Sequence, residues 1–211
     1  MKRTVVCISH ATGAGGSEVG RLVAGRLGYW YVDEDILAHA AAKGGIDPAM
    51  LADEERRKSW LARMRDELTR GATGEAWAVL APMPPAPGQS GATSEELRAL
   101  IRDAIEETAA QGKVVIVAHA ASHAIGRSEE ALRVLVTASP QTRAARLRDL
   151  DRLDEAEAGR AVKEADKARA DYLRRFHDID DEQPTHYDLV VNTDQLTVEQ
   201  AAALIWAVAS A

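Results

Sequence analysis

Cysteine is almost missing from this chain: Cys7 is the single one in 211 residues, which excludes a disulfide framework and any multi-cysteine metal site. A reducing, cytoplasmic setting is the expectation. Aromatic residues are scarce too, at 4%, so Val, Leu, Ile and Ala must fill the interior. No apolar run approaches the roughly 20 residues of a membrane-spanning helix, and the opening Met1 to Ser9 has too short an apolar stretch for a secretory signal, so no membrane association is expected. An excess of positive charge is also lacking. The 26 Lys and Arg stand against 33 Asp and Glu, a net charge of −7, and such a field repels a polyanion, which argues against a nucleic-acid partner. A small anionic ligand stays within reach wherever basic residues converge.

What is present has the balance of a globular protein, 46% hydrophobic and 28% charged, and the length suits one well-buried core with a smaller excursion. A single domain over 1–211 is expected. Short apolar, β-branched runs alternate with longer helical patterns, the sign of an α/β fold with a parallel sheet. Five strands are read at Thr4 to Ile8, Trp30 to Val32, Val114 to Ala118, Arg133 to Thr137 and Leu189 to Val191. Runs such as Val114-Val115-Ile116-Val117 lack polar alternation, which suits strands buried on both faces. Helices are read at Glu18 to Leu27, Pro48 to Arg70, Ser94 to Gln111, Pro140 to Leu150, Asp154 to Phe176 and Val198 to Ala209. Thr93 with Glu96 and Thr197 with Gln200 fit capping boxes, in which each side chain satisfies an orphan amide. Between them, the proline- and glycine-rich 71–93 reads as a loop.

The first strand runs into Ser9-His10-Ala11-Thr12-Gly13-Ala14-Gly15-Gly16-Ser17-Glu18 and then a helix. Laid on the phosphate-loop pattern G-x-x-x-x-G-K-[ST], His10 takes the first glycine, Gly15 the second, Gly16 the lysine and Ser17 the hydroxyl position. The main-chain chemistry tolerates both departures: Gly13, Gly15 and Gly16 permit the positive φ and close approach by which successive amides cradle a phosphate at a helix N-terminus. A movable cation on the terminal phosphates is what is lost, and Arg21, one turn into the helix, is the nearest replacement unless it pairs with Glu18 or a carboxylate of the second strand. A tight turn that binds nothing is the alternative.

The stretch Gly13-Ala14-Gly15-Gly16-Ser17-Glu18-Val19-Gly20-Arg21, followed by Leu27-Gly28 and Trp30-Tyr31-Val32-Asp33, resembles the opening of the cytidylate kinase-like family, whose members commonly lack the standard lysine. The segment from Lys167 through His186-Tyr187-Asp188-Leu189 and Asn192-Thr193 is similar to that family's close. The resemblance implies a P-loop NTPase-type three-layer fold with a helical substrate excursion at 36–95 and a lid at 140–177. It implies ATP and Mg2+ as cofactors and a nucleotide and a small-molecule phosphoryl acceptor as partners, with CMP favoured, and it leaves room for a homo-oligomer. Gly13, Ala14, Gly15, Gly16, Ser17 and Glu18 would bind the nucleotide. His119-Ala120-Ala121 departs from the family's glycine-arginine-glycine turn after the third strand.

Asp33-Glu34-Asp35 follows the second strand, where ligands of open parallel sheets bind. Asp33, with Ser17, is the candidate magnesium ligand, and it is also placed to orient an acceptor oxygen. The Asp-x-Asp spacing also occurs in shikimate-kinase-like proteins, and capping of the next helix is the bland alternative. In nucleotide kinases the segment after the fourth strand carries lid arginines. Arg143 and Arg146 are therefore read as nucleotide contacts, and Arg169 and Arg174 as lid residues acting with Arg21 in catalysis, although interleaved acids make surface pairing the competing reading for each. Asn192 lies in the loop expected beside the base. Three functions stay open: a kinase acting on a nucleoside monophosphate, a metabolite kinase acting on an alcohol, and a nucleotide-binding protein without catalysis.

Overall fold

A computed structural model describes residues 3–33, 94–118 and 120–211, the side chains of 94–101, 175 and 176 excepted. The expected helix at 48–70, loop at 71–93, Thr93 cap, Trp60, Trp77, Asp35 and His119 lie outside these residues. The chain divides into two compact units, residues 1–34 with 105–211, and residues 35–104. Of the second unit, the described part is the beginning of one helix, so the excursion expected at 36–95 falls largely outside.

The elements of the described residues are β1 (Val5–His10), α1 (Gly16–Leu27), β2 (Trp30–Asp33), α2 (Ser94–Ala110), β3 (Val114–Val117), α3 (Ala121–Ala124), β4 (Ala131–Thr137), α4 (Pro140–Asp151), α5 (Glu155–His177), β5 (Leu189–Asn192) and α6 (Val198–Ser210). The five strands form one sheet in the order β2-β3-β1-β4-β5, and every pairing is parallel. This is the α/β, P-loop type of architecture expected from the sequence.

Strand periodicity sorts the side chains. Val6, Ile8, Val115, Val117, Val134 and Val136 form a core cluster with Val19 and Val23 of α1 and Ala201 and Ile205 of α6. Successive residues point oppositely, so Cys7 and Ser9 belong to the other face, where the buried Ser122 of α3 donates to the Cys7 carbonyl at 3.2 Å and lies 3.1 Å from the Ser9 hydroxyl. Helix α1 ends on Gly28 at φ 68, the left-handed stop the Leu27-Gly28 pair foretells. The capping box on α6 is present in full: Thr197 N donates to Gln200 Oε1 at 2.9 Å and Gln200 N to Thr197 Oγ1 at 3.3 Å.

The strand order puts β1 between β3 and β4. The chain leaves β1 toward β2 on one side and later returns to β4 on the other, so the carboxyl end of β1 is the switch point at which such sheets bind ligands. The glycine loop begins there.

Candidate functional site

Residues Ala11 to Gly15 carry the chain from β1 into α1. Gly13 and Gly15 have φ 80 and 81, values a side chain adopts only with strain. Gly13 also lies against α4: a Cβ there would meet the Arg143 carbonyl oxygen at 2.9 Å. Gly15 is the N-cap and offers no side-chain cap, and the first-turn amides of any α-helix have no intrahelical acceptor. Ala14 instead shapes the loop, its amide donating to the Ala11 carbonyl at 2.9 Å.

The loop carbonyls are drawn outward. Arg143 Nη1 donates to Thr12 O at 3.4 Å, Arg146 Nη1 to Gly13 O at 3.3 Å, and Thr193 Oγ1 to Ala14 O at 2.9 Å. These donors are held in turn: Arg146 also binds Thr193 Oγ1 at 2.9 Å and Thr193 O at 2.6 Å, and Arg143 makes a two-pronged ion pair with Asp166 at 2.8 and 2.7 Å. A peptide whose C=O is tied behind the loop turns its N–H toward the other side. The Gly13 and Gly15 amides, on the peptides whose carbonyls are Thr12 O and Ala14 O, are thus turned away from these tethers and toward the start of α1, as an anion nest requires, whereas the Ala14 amide is spent on Ala11.

Arg143 and Arg146, read from the sequence as nucleotide contacts, stand behind the loop and shape it. Arg143 is buried at 4% exposure, and its Nε donates to the Ala138 carbonyl at 3.1 Å. Arg21 chooses the carboxylate of the second strand over Glu18: its Nη2 is 3.9 Å from Asp33 Oδ2, and its guanidinium carbon lies 5.0 Å from the Tyr31 ring centre. Asp33 ends β2 and is nearly buried. Ser17 and Glu18 occupy the first turn of α1, Ser17 half-buried and Glu18 exposed. Asn192 is exposed, and its side chain accepts the Asp194 amide at 2.8 Å, fixing the turn after β5.

Arg169 and Arg174 part company. Arg174 is an exposed partner of Asp171 on the same helix. The Arg169 side chain is 9% exposed, and its Nη1 reaches the His10 carbonyl at 3.4 Å, so α5 touches the loop entrance. Its Nε and Nη2 grip Glu182 at 2.9 and 2.5 Å. Tyr187 also donates its hydroxyl to Glu182, and His123 Nε2 lies 3.0 Å from that hydroxyl. Burial alone would raise the Glu182 pKa, but hydrogen bonds from His123, Arg169 and Tyr187 outweigh it and hold the carboxyl well below its ordinary range. Burial, with Glu182 beside it, pushes the Tyr187 phenol up. Glu182 and His123 are not among the candidates read from the sequence, and Tyr187 and Thr193 enter that reading only within the closing segment that resembles the family's. In the sequence Glu182 is the last of four acids, with Asp178, Asp180 and Asp181, between the basic end of α5 and β5, and nothing local sets it apart from its neighbours. Cys7 is fully buried and its thiol is pushed far up by desolvation, so it stays protonated and is no nucleophile.

One contact bears on the missing lysine. An ideal Cβ built at Gly16 would lie 2.3, 2.4 and 2.8 Å from Cβ, Cγ and Cδ2 of His10. The Cβ of His10, at the first position of the pattern, and the adjoining edge of its imidazole thus fill the space a side chain at the lysine position would need.

The chain matches the model of the cytidylate kinase-like family over residues 5–195. Among solved structures it resembles an uncharacterised protein from Eubacterium ventriosum, with a TM-score of 0.68 and 13% identity over 98% of each chain. It also resembles a shikimate kinase from Acinetobacter baumannii in complex with shikimate, with a TM-score of 0.51 and 12% identity over 98% of this chain and 92% of that one. At these identities the likeness concerns the fold. No curated protein matches the sequence.

Proposed function

The chain belongs to the cytidylate kinase-like family, and on that premise we propose that it transfers a phosphoryl group from ATP to a small acceptor, with a nucleoside monophosphate such as CMP favoured. The observation that carries this reading is the outward tethering of the Thr12, Gly13 and Ala14 carbonyls by Arg143, Arg146 and Thr193. Tied back in this way, the Thr12 and Ala14 peptides turn their N–H groups, those of Gly13 and Gly15, away from the tethers, the orientation an anion at the loop needs. Loop amides and the start of α1 seat the phosphates by main-chain donors, which a lost lysine does not remove.

The donors at hand suit magnesium. Among the described residues no group of three or more His, Cys, Asp or Glu side chains could hold a metal, and this ion usually takes one or two protein oxygens with phosphates and water. The Ser17 hydroxyl and the Asp33 carboxylate are such oxygens. Once bound, the ion neutralises charge on the phosphates. Asp33 orients the attacking acceptor oxygen, whose bond to the γ-phosphorus forms as the bridge to the β-phosphate breaks. Arg21, beside Asp33, and Arg169, at the loop entrance, would replace the lysine's charge. Arg174, exposed and paired along its own helix, joins them only if the lid rearranges.

A second reading, nucleotide binding without turnover, is favoured by one feature: Arg169 is already engaged by Glu182. Incubating the protein with ATP, magnesium and a panel of nucleoside monophosphates and hydroxylated metabolites, shikimate included, separates the two. Phosphorylated CMP or another monophosphate is the expected product, with Asp33→Asn slowing its formation about 100-fold, within the usual range for a general acid or base. ATP binding without product supports the second reading, and product from an alcohol alone moves the acceptor class to metabolites.

A further inference from the structure

We propose that His10 is the phosphate-contacting side chain of this loop, and that His10 and Gly16 are an exchanged pair: the functional side chain, placed at the seventh position of such loops in the common pattern, is here supplied from the first. The inference rests on the reading that the loop holds a nucleotide's phosphates. It goes beyond that reading by assigning a role to a residue that the pattern reserves for glycine.

Three observations place the ring. The 2.3, 2.4 and 2.8 Å approaches to His10 Cβ, Cγ and Cδ2 mean that no side chain fits at position 16 beside His10, since the closest atom, Cβ, stays in place in every rotamer, and Gly16 is itself buried. His10 Nδ1 lies 3.4 Å from the Ala11 carbonyl, which sets that nitrogen toward the main chain and Nε2, one bond beyond Cδ2, on the side of Gly16. The His10 carbonyl accepts from Arg169 Nη1 at 3.4 Å, so the residue is held at the sheet's end by the same arginine that α5 brings to the loop. The ring therefore covers the first turn of α1, the place from which a lysine at position 16 would rise to a bound phosphate. Imidazole is a shorter donor than an ammonium, which suits an origin at the loop's entrance.

The exchange makes a coupled prediction that neither residue makes alone. Gly16→Lys introduces a Cβ into the imidazole and is expected to lower both the unfolding temperature and ATP affinity, although it installs the pattern's lysine. His10→Gly combined with Gly16→Lys removes the clash and is expected to recover ATP affinity to within a few-fold of the unaltered protein, a strongly non-additive cycle of the kind seen for residues in contact. His10→Ala is expected to weaken Mg-ATP about tenfold, the size of one hydrogen bond to a charged group, while leaving adenosine binding unchanged, and His10→Arg is expected to retain most of the affinity. Calorimetric titration of the full chain with Mg-ATP and with adenosine reads all of these without turnover. Equal loss of ATP and adenosine binding in His10→Ala would mean a purely structural ring and overturn the assignment, as would a Gly16→Lys variant that binds ATP normally with His10 in place. If the unaltered protein binds neither compound, the nucleotide reading falls first and this inference falls with it. If it binds both but phosphorylates nothing, this inference stands while the kinase reading falls.

Discussion

At the scale of single residues, the Arg143–Asp166 pair is lopsided. The side chain of Arg143 is 5% exposed and that of Asp166 46%. Removing the arginine returns Asp166 to water and leaves the Thr12 and Ala138 carbonyls short of a donor. Removing the aspartate strands a buried guanidinium, and uncompensated buried charge is the costlier defect. Asp166→Ala is expected to destabilise the fold by about 3 kcal/mol, and Arg143→Met by about 1–2 kcal/mol, in denaturant unfolding. The reverse order would mean that Arg143 reaches solvent. Affinity for Mg-ATP should fall further in Arg143→Met than its stability loss implies, because the Thr12 peptide loses its anchor. Glycine at position 16 belongs to the same scale: along the sequence it is a missing lysine, and beside His10 it is a steric necessity. No local pattern carries that reason, since the two residues meet only through the turn of the loop.

Among elements, those with strong local chemistry lie close to where the sequence puts them. Helix α6 has its Thr197–Gln200 box, α5 has a box between Asp154 and Glu157 that the sequence reading passed over, and α1 has its glycine stop. Thr197→Ala is expected to cost about 1 kcal/mol and to lower the unfolding temperature by roughly 2–4 °C, as a thermal melt followed by circular dichroism would show. Elements set by partners are less legible. The sequence reading ends β1 at Ile8, but pairing of Ser9 with Leu135 and of His10 with Val136 extends the strand to His10. It starts β4 at Arg133, but the pairing of Val5 with Ala131 begins it earlier. The four residues of α3 and the short 3-10 turn at Pro184–His186 have no periodicity to find. They are held by bonds to distant chain, such as Ser122 to the Cys7 carbonyl.

For the molecule as a whole, acid is the informative stress. Glu182 and Asp188 are both held below their ordinary range: burial would raise each, but the bonds from His123, Arg169 and Tyr187, and from Arg133, outweigh it. A carboxyl whose pKa is lowered by folding contributes stability that is complete above its unfolded value, near 4, and is lost as pH falls toward the folded one. Unfolding temperature should therefore hold from pH 7 to 5 and drop steeply below 4, with Glu182→Gln starting lower and declining less. Identical slopes for the two proteins would show that the cluster joining α5 to β5 is not closed in solution. The sequence by itself determined the class of fold, the order of the strands along the chain and the glycine bend at the end of β1, because β-branched runs, helix stops and positive-φ glycines act within a few residues. Only the tertiary structure decided what the basic residues do. Whether an arginine meets a ligand, a loop carbonyl or a carboxylate depends on which elements the sheet order brings together, and the contacts that place Arg143, Arg146 and Arg169 at the loop all span more than a hundred residues of chain.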